Sequence, residues 1–142
     1  MIYADTNVLL ALFCPDGLTT AAEAWYEKVG VPVCISPWVV MEFRSSIGLR
    51  VRKGVLPRAK GMAAIHQFDV AVPVHFQMLT PSLEHFVRAG HWLADTDCAL
   101  HGGDALHLGI AFGHGCSEFI TFDQPLGASA RKLKLNVRVL KP

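Results

Sequence analysis

The sequence predicts an α/β fold with a central parallel β-sheet flanked by helices on both faces. Short apolar runs alternate along the chain with longer amphipathic segments, which is the pattern of repeated strand–helix units. Of the 142 residues, 51% are hydrophobic and 18% are charged, so the chain is long and apolar enough to bury a core as one domain. Apolar runs stay well below the roughly 20 residues that cross a bilayer, so we expect no membrane segment.

The first ten residues, MIYADTNVLL, predict a buried strand that passes directly into a helix. Asp5 falls where this strand ends, and Thr6 or Asn7 is expected to cap the helix. Open α/β sheets bind ligands at the carboxyl ends of their strands, and a bound cation would neutralise a carboxylate placed there. Capping of the helix by Asp5 itself is the alternative that these residues leave open.

The remaining boundaries follow from turn residues, prolines and glycines. Further strands are expected at residues 33–35, 74–79, 119–122 and 137–140. Helices are expected at residues 19–29, 38–53, 57–68, 83–93, 104–112 and 125–132. Residues 70–74 are expected to form a strand or a loop, because Pro73 interrupts regular pairing.

Four carboxylates stand at positions where a charge is costly. Asp123 follows an apolar strand as Asp5 does, so both are expected at the same edge of the sheet. Glu42 lies on the apolar side of its helix, and Asp104 begins a helix that is apolar on nearly every side. Each acid alone has an ordinary explanation as a cap, a turn residue or, for Glu42, an ion pair with an arginine such as Arg44.

Together, these acids predict a cation site if the two helices flank that edge of the sheet. Four carboxylates in one small volume repel each other, and one or two divalent cations relieve the repulsion. Ligands that are all oxygen favour Mg²⁺, with Mn²⁺ as a plausible substitute, over zinc. Such a site suits phosphodiester hydrolysis by a metal-activated water.

The net charge is only +1, yet all but two of the 13 lysines and arginines fall in two stretches without acids, at residues 44–60 and 131–141. This segregation suits a polyanion such as nucleic acid, and two solvated helix faces are the alternative. The candidate RNA-binding side chains are Arg44, Arg50, Arg52 and Lys53.

The four cysteines form no CxxC pair, and Met1 opens directly onto the first strand, so we expect reduced thiols in a cytoplasmic protein.

Four segments, in this order, carry a resemblance to a known family: IYADTNVLL, VVMEFRSSIG, GGDALHLGIA and FITFDQPLG. They resemble the signature of the PIN-domain ribonucleases, and within that family the VapC toxins of toxin–antitoxin pairs, over nearly the whole of residues 1–142. The resemblance implies that Asp5 and Asp104 are the most direct metal ligands and that Glu42 and Asp123 complete the site, often through water. Gly102 and Gly103 depart from the family pattern, in which many relatives carry a bulkier residue followed by Ala or Ser. The polar residues implied to orient the cluster are Asn7 and Thr121.

The resemblance therefore implies a Mg²⁺-dependent endoribonuclease that acts as a toxin, is held by an antitoxin and forms a homodimer. A nuclease of the same fold for DNA or for RNA processing, and a non-catalytic binding module, are the alternatives. Phosphatases of the haloacid dehalogenase type are disfavoured, because they need a second acid where this chain has Asn7. We interpret His107, one turn after Asp104, as a packed or supporting histidine, because metal-activated water needs no imidazole base.

Overall fold

The computed structural model describes residues 1–95 and 97–142 of the chain. Five parallel strands form a single sheet in the order β3-β2-β1-β4-β5, which confirms the predicted fold class. The strands are β1 (Ile2–Ala4), β2 (Val33–Ile35), β3 (Gln77–Met78), β4 (Phe119–Thr121) and β5 (Val137–Val139). The helices of the described residues are α1 (Thr6–Phe13), α2 (Thr19–Tyr26), α3 (Pro37–Arg52), α4 (Arg58–His75), α5 (Leu83–Ala94), α6 (Gly102–Gly113) and α7 (Gln124–Lys132).

The order of the strands creates a crevice beside β1. The chain runs outward from β1 through β2 to β3, and then returns past β1 to form β4 and β5. Because crossovers between parallel strands are right-handed, the helices before and after this reversal cover opposite faces of the sheet. The helix contacts agree, since α1 packs against α2, α3 and α4, whereas α5 packs against α6. The reversal lies between β1 and β4, where open sheets of this kind bind ligands.

The core between the sheet and the first helical layer contains a cluster of aromatic rings. Phe43 of α3 and Phe68 of α4 are both fully buried, and their rings stack with centroids 4.1 Å apart. Phe13 at the end of α1 meets Phe68 edge-on at 5.5 Å. These contacts hold α1, α3 and α4 together as one layer. Among the described helices, none combines the length and apolar character that a membrane span requires.

The expectation of a strand or loop at residues 70–74 is wrong, because α4 continues to His75. Pro73 lies in the last turn of the helix, where its missing N–H removes one backbone hydrogen bond. The amide of Phe76 still donates to the carbonyl of Val72 at 3.1 Å, so the helix closes beyond the proline. The expected strand at residues 74–79 is correspondingly reduced to the two residues of β3.

We expect Phe68→Ala to lower the free energy of unfolding by about 3–5 kcal/mol, because it removes a fully buried ring from the stacked cluster. Val70→Ala is the matched control, since Val70 lies on the same helix, is 59% exposed, and its loss should cost below about 0.5 kcal/mol. Urea unfolding followed by circular dichroism measures both. Equal losses for the two variants would contradict this description of the core.

Candidate functional site

Asp5 lies at the carboxyl end of β1 and is only 3% exposed. It is also the N-cap of α1, because the amide of Val8 donates to Asp5 Oδ1 at 3.3 Å. The expectation that Thr6 or Asn7 caps this helix is therefore wrong: the carboxylate of Asp5 precedes them and reaches the free amide first. The hydroxyl of Thr121 donates to Asp5 Oδ2 at 2.5 Å. Asp5 thus caps a helix and faces the ligand-binding edge of the sheet at the same time.

The end of β4 is joined to the end of β1 by a short hydrogen-bonded bridge. Thr121 Oγ1 accepts from the amide of Asp123 at 2.9 Å and from the side-chain amide of Asn7 at 3.2 Å. Asn7 Oδ1 accepts in turn from the amide of Phe122 at 2.9 Å. Asp123 caps α7, since the amide of Leu126 donates to its Oδ1 at 2.8 Å. Asn7 and Thr121 therefore connect the two acids that follow β1 and β4.

Glu42 faces the interior from α3 and is held by two side chains. Its Oε2 accepts from the hydroxyl of Thr6 at 2.5 Å and from Nε2 of His107 at 2.7 Å. Partial burial opposes its ionisation, but the hydrogen bonds from His107 and Thr6 outweigh burial and lower the pKa of Glu42. An ion pair with Arg44, the ordinary explanation of this acid, is wrong, because Arg44 binds Asp69 at 2.8 Å. Sequence reasoning missed Thr6 as a partner of Glu42.

Asp104 lies within electrostatic range of the other three acids. Burial, followed by the charge of Asp123 and with a smaller effect of Glu42, raises the pKa of Asp104. Burial also raises the pKa of Asp5 to about 7, against the hydrogen bond from Thr121, and the charge of Asp104 adds to this rise. In residues 1–95 and 97–142, no lysine or arginine forms a salt bridge with any of the four. His107 contacts Glu42, but no lysine or arginine of the described residues neutralises the other three acids.

These carboxylates are close, but they are not gathered into a finished ligand shell. Across the part of the chain that the structure describes, no three His, Cys, Asp or Glu side chains stand close enough to hold a metal ion as they are. Asp5 and Asp123 are linked through Thr121, whereas Glu42 is turned toward His107. The prediction that all four acids form one metal site therefore stays a prediction. In chemistry, the donors fit a hard cation, since each is a carboxylate oxygen.

Two of the four candidate RNA-binding residues are paired with other acids, and two lie at the far end of α3. Arg50 approaches Asp16 at 3.9 Å, so it is engaged, as Arg44 is. Arg52 and Lys53 are exposed at the far end of α3, about 15 Å along the helix from Glu42 at 1.5 Å per residue. The structure thus leaves these two cations on an open surface, and their role in RNA binding stays a prediction.

Comparisons with known proteins identify the family and the fold. The model of the PIN domain family matches residues 2–132 of the chain. VapC20 of Mycobacterium tuberculosis, a sarcin–ricin loop cleaving toxin, superposes with a TM-score of 0.73 at 18% identity, over 90% of this chain and 94% of that one. FitAcB of Neisseria gonorrhoeae superposes with a TM-score of 0.74 at 18% identity, over 96% of both chains. VapBC2 of Rickettsia felis, solved with a DNA fragment from its promoter, gives 0.68 at 14% identity, over 99% and 100%.

The fold is that of an α/β protein, and the chain belongs to the PIN domain family, which is a family of nucleases. No curated protein sequence matches it. The resemblance described from the four sequence segments is thereby confirmed at the level of the family and its VapC-like fold.

The stability of the metal-free protein should fall by about 2 kcal/mol between about pH 5.5 and pH 8 through Asp5 alone. The reason is that the pKa of Asp5 rises from 3.8 to about 7 on folding. Between these two pKa values the folded state still holds the proton that the unfolded state has lost. Ionisation therefore favours the unfolded state, and the free energy of unfolding falls as the pH rises through the folded pKa. Asp5→Asn should remove this part of the pH dependence.

Urea unfolding in EDTA at both pH values measures the effect, with Glu27→Gln, an exposed acid just after α2, as the control. If the free energy of unfolding depended on pH in the same way for Asp5→Asn and the parent protein, the raised pKa of Asp5 would be contradicted.

Proposed function

We propose that this protein is a Mg²⁺-dependent endoribonuclease, the toxin of a VapBC-type toxin–antitoxin pair, with Mn²⁺ as an effective substitute for Mg²⁺. The observation that carries the proposal is the group of acids at the β1/β4 crevice, in which Asp104 raises the pKa of Asp5 while Asp123 and Glu42 raise that of Asp104. Within the described residues, no lysine or arginine forms a salt bridge with any of them. A scaffold has no need to concentrate uncompensated charge at this edge, so the non-catalytic alternative is disfavoured. Membership of the PIN domain family and the fold shared with VapC proteins support the same class of activity.

The residues divide into ligands and supports. Asp5 and Asp104 would bind the metal directly, and Glu42 and Asp123 would complete its surroundings through water. Bound there, the divalent ion would lower the pKa of a water that attacks the phosphodiester and would stabilise charge on the phosphorus and the leaving oxygen. Thr121 keeps Asp5 oriented by its hydrogen bond, so the carboxylate needs little rearrangement to accept the ion.

The substrate we propose is RNA, bound along basic helix faces with one phosphate at the acids. Arg52 and Lys53 are exposed and lie about 15 Å along α3 from Glu42. This span is suited to positioning by contacts with the sugar–phosphate backbone, which carry no sequence information. Arg44 and Arg50 would contribute only after leaving their present acidic partners.

An antitoxin is the proposed protein partner, and a groove along α4 offers a surface for it. Two adjoining depressions of about 420 and 280 Å³ share Phe13 and run along this helix. Their α4 wall contains three alanines, Ala63, Ala64 and Ala71, which leave room for an apolar helix face. A similar fold occurs in a toxin–antitoxin complex from Klebsiella pneumoniae, at 20% identity and a TM-score of 0.61 over 87% of both chains.

We further propose that the protein acts in the cytoplasm as a homodimer. The outward face of α5 exposes several large apolar side chains, among them Leu83 at 79% and Phe86 at 53%. Phe112 of the neighbouring helix α6 is 51% exposed and carries Arg88 over its ring at 4.4 Å. A second copy of this surface would remove these side chains from water.

We expect Asp104→Asn to reduce metal-dependent cleavage of RNA by at least about 100-fold, because it removes a direct ligand of the ion. Glu27→Gln, an exposed acid far from the crevice, is the matched control and should cleave as the parent protein does. Cleavage of single-stranded and hairpin RNA with Mg²⁺, Mn²⁺ or EDTA provides the measurement.

Full activity of Asp104→Asn, or undiminished cleavage in EDTA, would contradict the proposed mechanism. Parallel digestion of DNA of the same sequence decides the substrate, since preferential cleavage of DNA would reject the ribonuclease and leave a PIN-type DNA nuclease.

We expect Ala63→Asp to weaken binding of the antitoxin at least about 10-fold, because it places a charge in the apolar groove. Met62→Asp is the matched control, since Met62 is the next residue on α4 and is 58% exposed, and it does not line the groove. The partner to test is the product of a short reading frame adjoining this gene, with affinity measured by calorimetry. Equal affinities for the two variants would place the antitoxin on another surface.

A further inference from the structure

The carboxylate of Glu42 rests on helix α6 between two residues that lie one turn apart, Gly103 and His107. Its Oε2 accepts from His107 Nε2 at 2.7 Å, and its Oε1 lies directly over Gly103. Glu42 itself belongs to α3, so this contact joins two helices from opposite sides of the crevice. Asp104, the proposed metal ligand on α6, lies between these two residues in sequence, so the contact is beside that ligand.

His107 is oriented by hydrogen bonds at both ring nitrogens. A carboxylate only accepts, so the Nε2 that faces Glu42 carries a hydrogen and donates it. The phenol of Tyr3 lies 3.0 Å from Nδ1, and the hydroxyl of Ser36 lies 2.7 Å from the phenol oxygen. The histidine is 2% exposed. With both nitrogens occupied and no open path to solvent, its contacts suit it to hold Glu42 and not to take a proton from a substrate.

Gly103 leaves the space that Glu42 occupies. A Cβ atom at this position would stand 2.8 Å from Glu42 Oε1 and 3.5 Å from two atoms of the Trp38 ring. The obstructed atom is the end of a flexible side chain, so an alanine would displace the carboxylate and leave the helices in place. At Gly102, by contrast, a Cβ would meet nothing within 4 Å. The two adjacent glycines therefore differ in what a methyl group would do.

We infer that His107 and Gly103 are positioning residues for Glu42, the first by holding Oε2 and the second by leaving room for Oε1. This inference rests on the proposed function, because Glu42 matters to the reaction only as one of the acids around the metal. Partners that orient such a ligand commonly change metal affinity or activity by about 10-fold or more when they are removed.

The test uses two matched pairs of variants in the full chain. Gly103→Ala displaces the carboxylate, whereas Gly102→Ala adds the same methyl group in open space. His107→Gln keeps a donor near the position of Nε2, whereas His107→Asn keeps a polar atom near Nδ1 and falls short of Glu42. Calorimetry gives the affinity for Mn²⁺, steady-state cleavage of an RNA oligonucleotide gives kcat and KM, and circular dichroism gives Tm.

We expect Gly103→Ala and His107→Asn to lower Mn²⁺ affinity or kcat by about 10-fold, with KM for RNA changed far less. Gly102→Ala and His107→Gln should stay within about threefold of the parent protein. A merely structural histidine would make the Gln and Asn variants equally poor, so the recovery in His107→Gln is the distinguishing readout. If Gly103→Ala does not fold, the His107 pair decides the question alone.

Two results would overturn the inference while the proposed function stands. One is a parent protein that cleaves RNA together with a Gly103→Ala variant equal to Gly102→Ala. The other is a His107→Gln variant as impaired as His107→Asn. A parent protein that neither binds Mn²⁺ nor cleaves RNA would reject the proposed function, and the positioning role would fall with it.

Discussion

Burial of one carboxylate, Asp5, constrains the rest of this structure. It follows the central strand of the sheet, is 3% exposed and forms no salt bridge with the described residues, so its two oxygens depend on hydrogen bonds. One bond requires α1 to begin immediately after β1, so that the amide of Val8 is free to donate. The other requires β4 beside β1, so that Thr121 faces it. The two neighbours of this acid are therefore also the two walls of the crevice.

Such a site is costly to the metal-free fold. The raised pKa values of Asp5 and Asp104 mean that the ionised forms are less stable in the folded protein than in water. Shifted pKa values of this kind are characteristic of functional sites, where the surrounding structure holds charged groups in arrangements that are unfavourable for those groups alone. A ligand that binds only the folded state recovers the loss, so a divalent cation would strengthen the fold as it completes the site.

A second polar network extends the site into the core. Ser36 and Tyr3 lie beneath His107, which in turn meets Glu42 and Thr6. Because buried polar groups are expensive when unpaired, a satisfied chain of this length holds each member in one orientation. Among the described residues, the buried Nε1 of Trp38 lacks a partner, and the same indole lies against the space above Gly103. The shape of the space above Gly103 is therefore set by packing of the Trp38 ring as well as by hydrogen bonds.

By itself, the sequence determined the class of fold and the positions of the acids along it. Strand and helix periods, and the boundaries of α3 near Pro37 and Gly54, depend on neighbouring residues, so a local pattern predicts them. The helix expected at residues 19–29 is shorter, because α2 ends at Tyr26. The sequence also identified Asp5 and Asp123 as strand-end acids, because parallel strands share one carboxyl edge.

Only the tertiary structure decided which side chain each acid meets. Glu42 contacts His107, 65 positions away, whereas the nearby Arg44 binds Asp69. Helix α4 continues past Pro73. These outcomes depend on how helices distant in sequence pack together, and on a free-energy balance among competing partners that no local pattern contains.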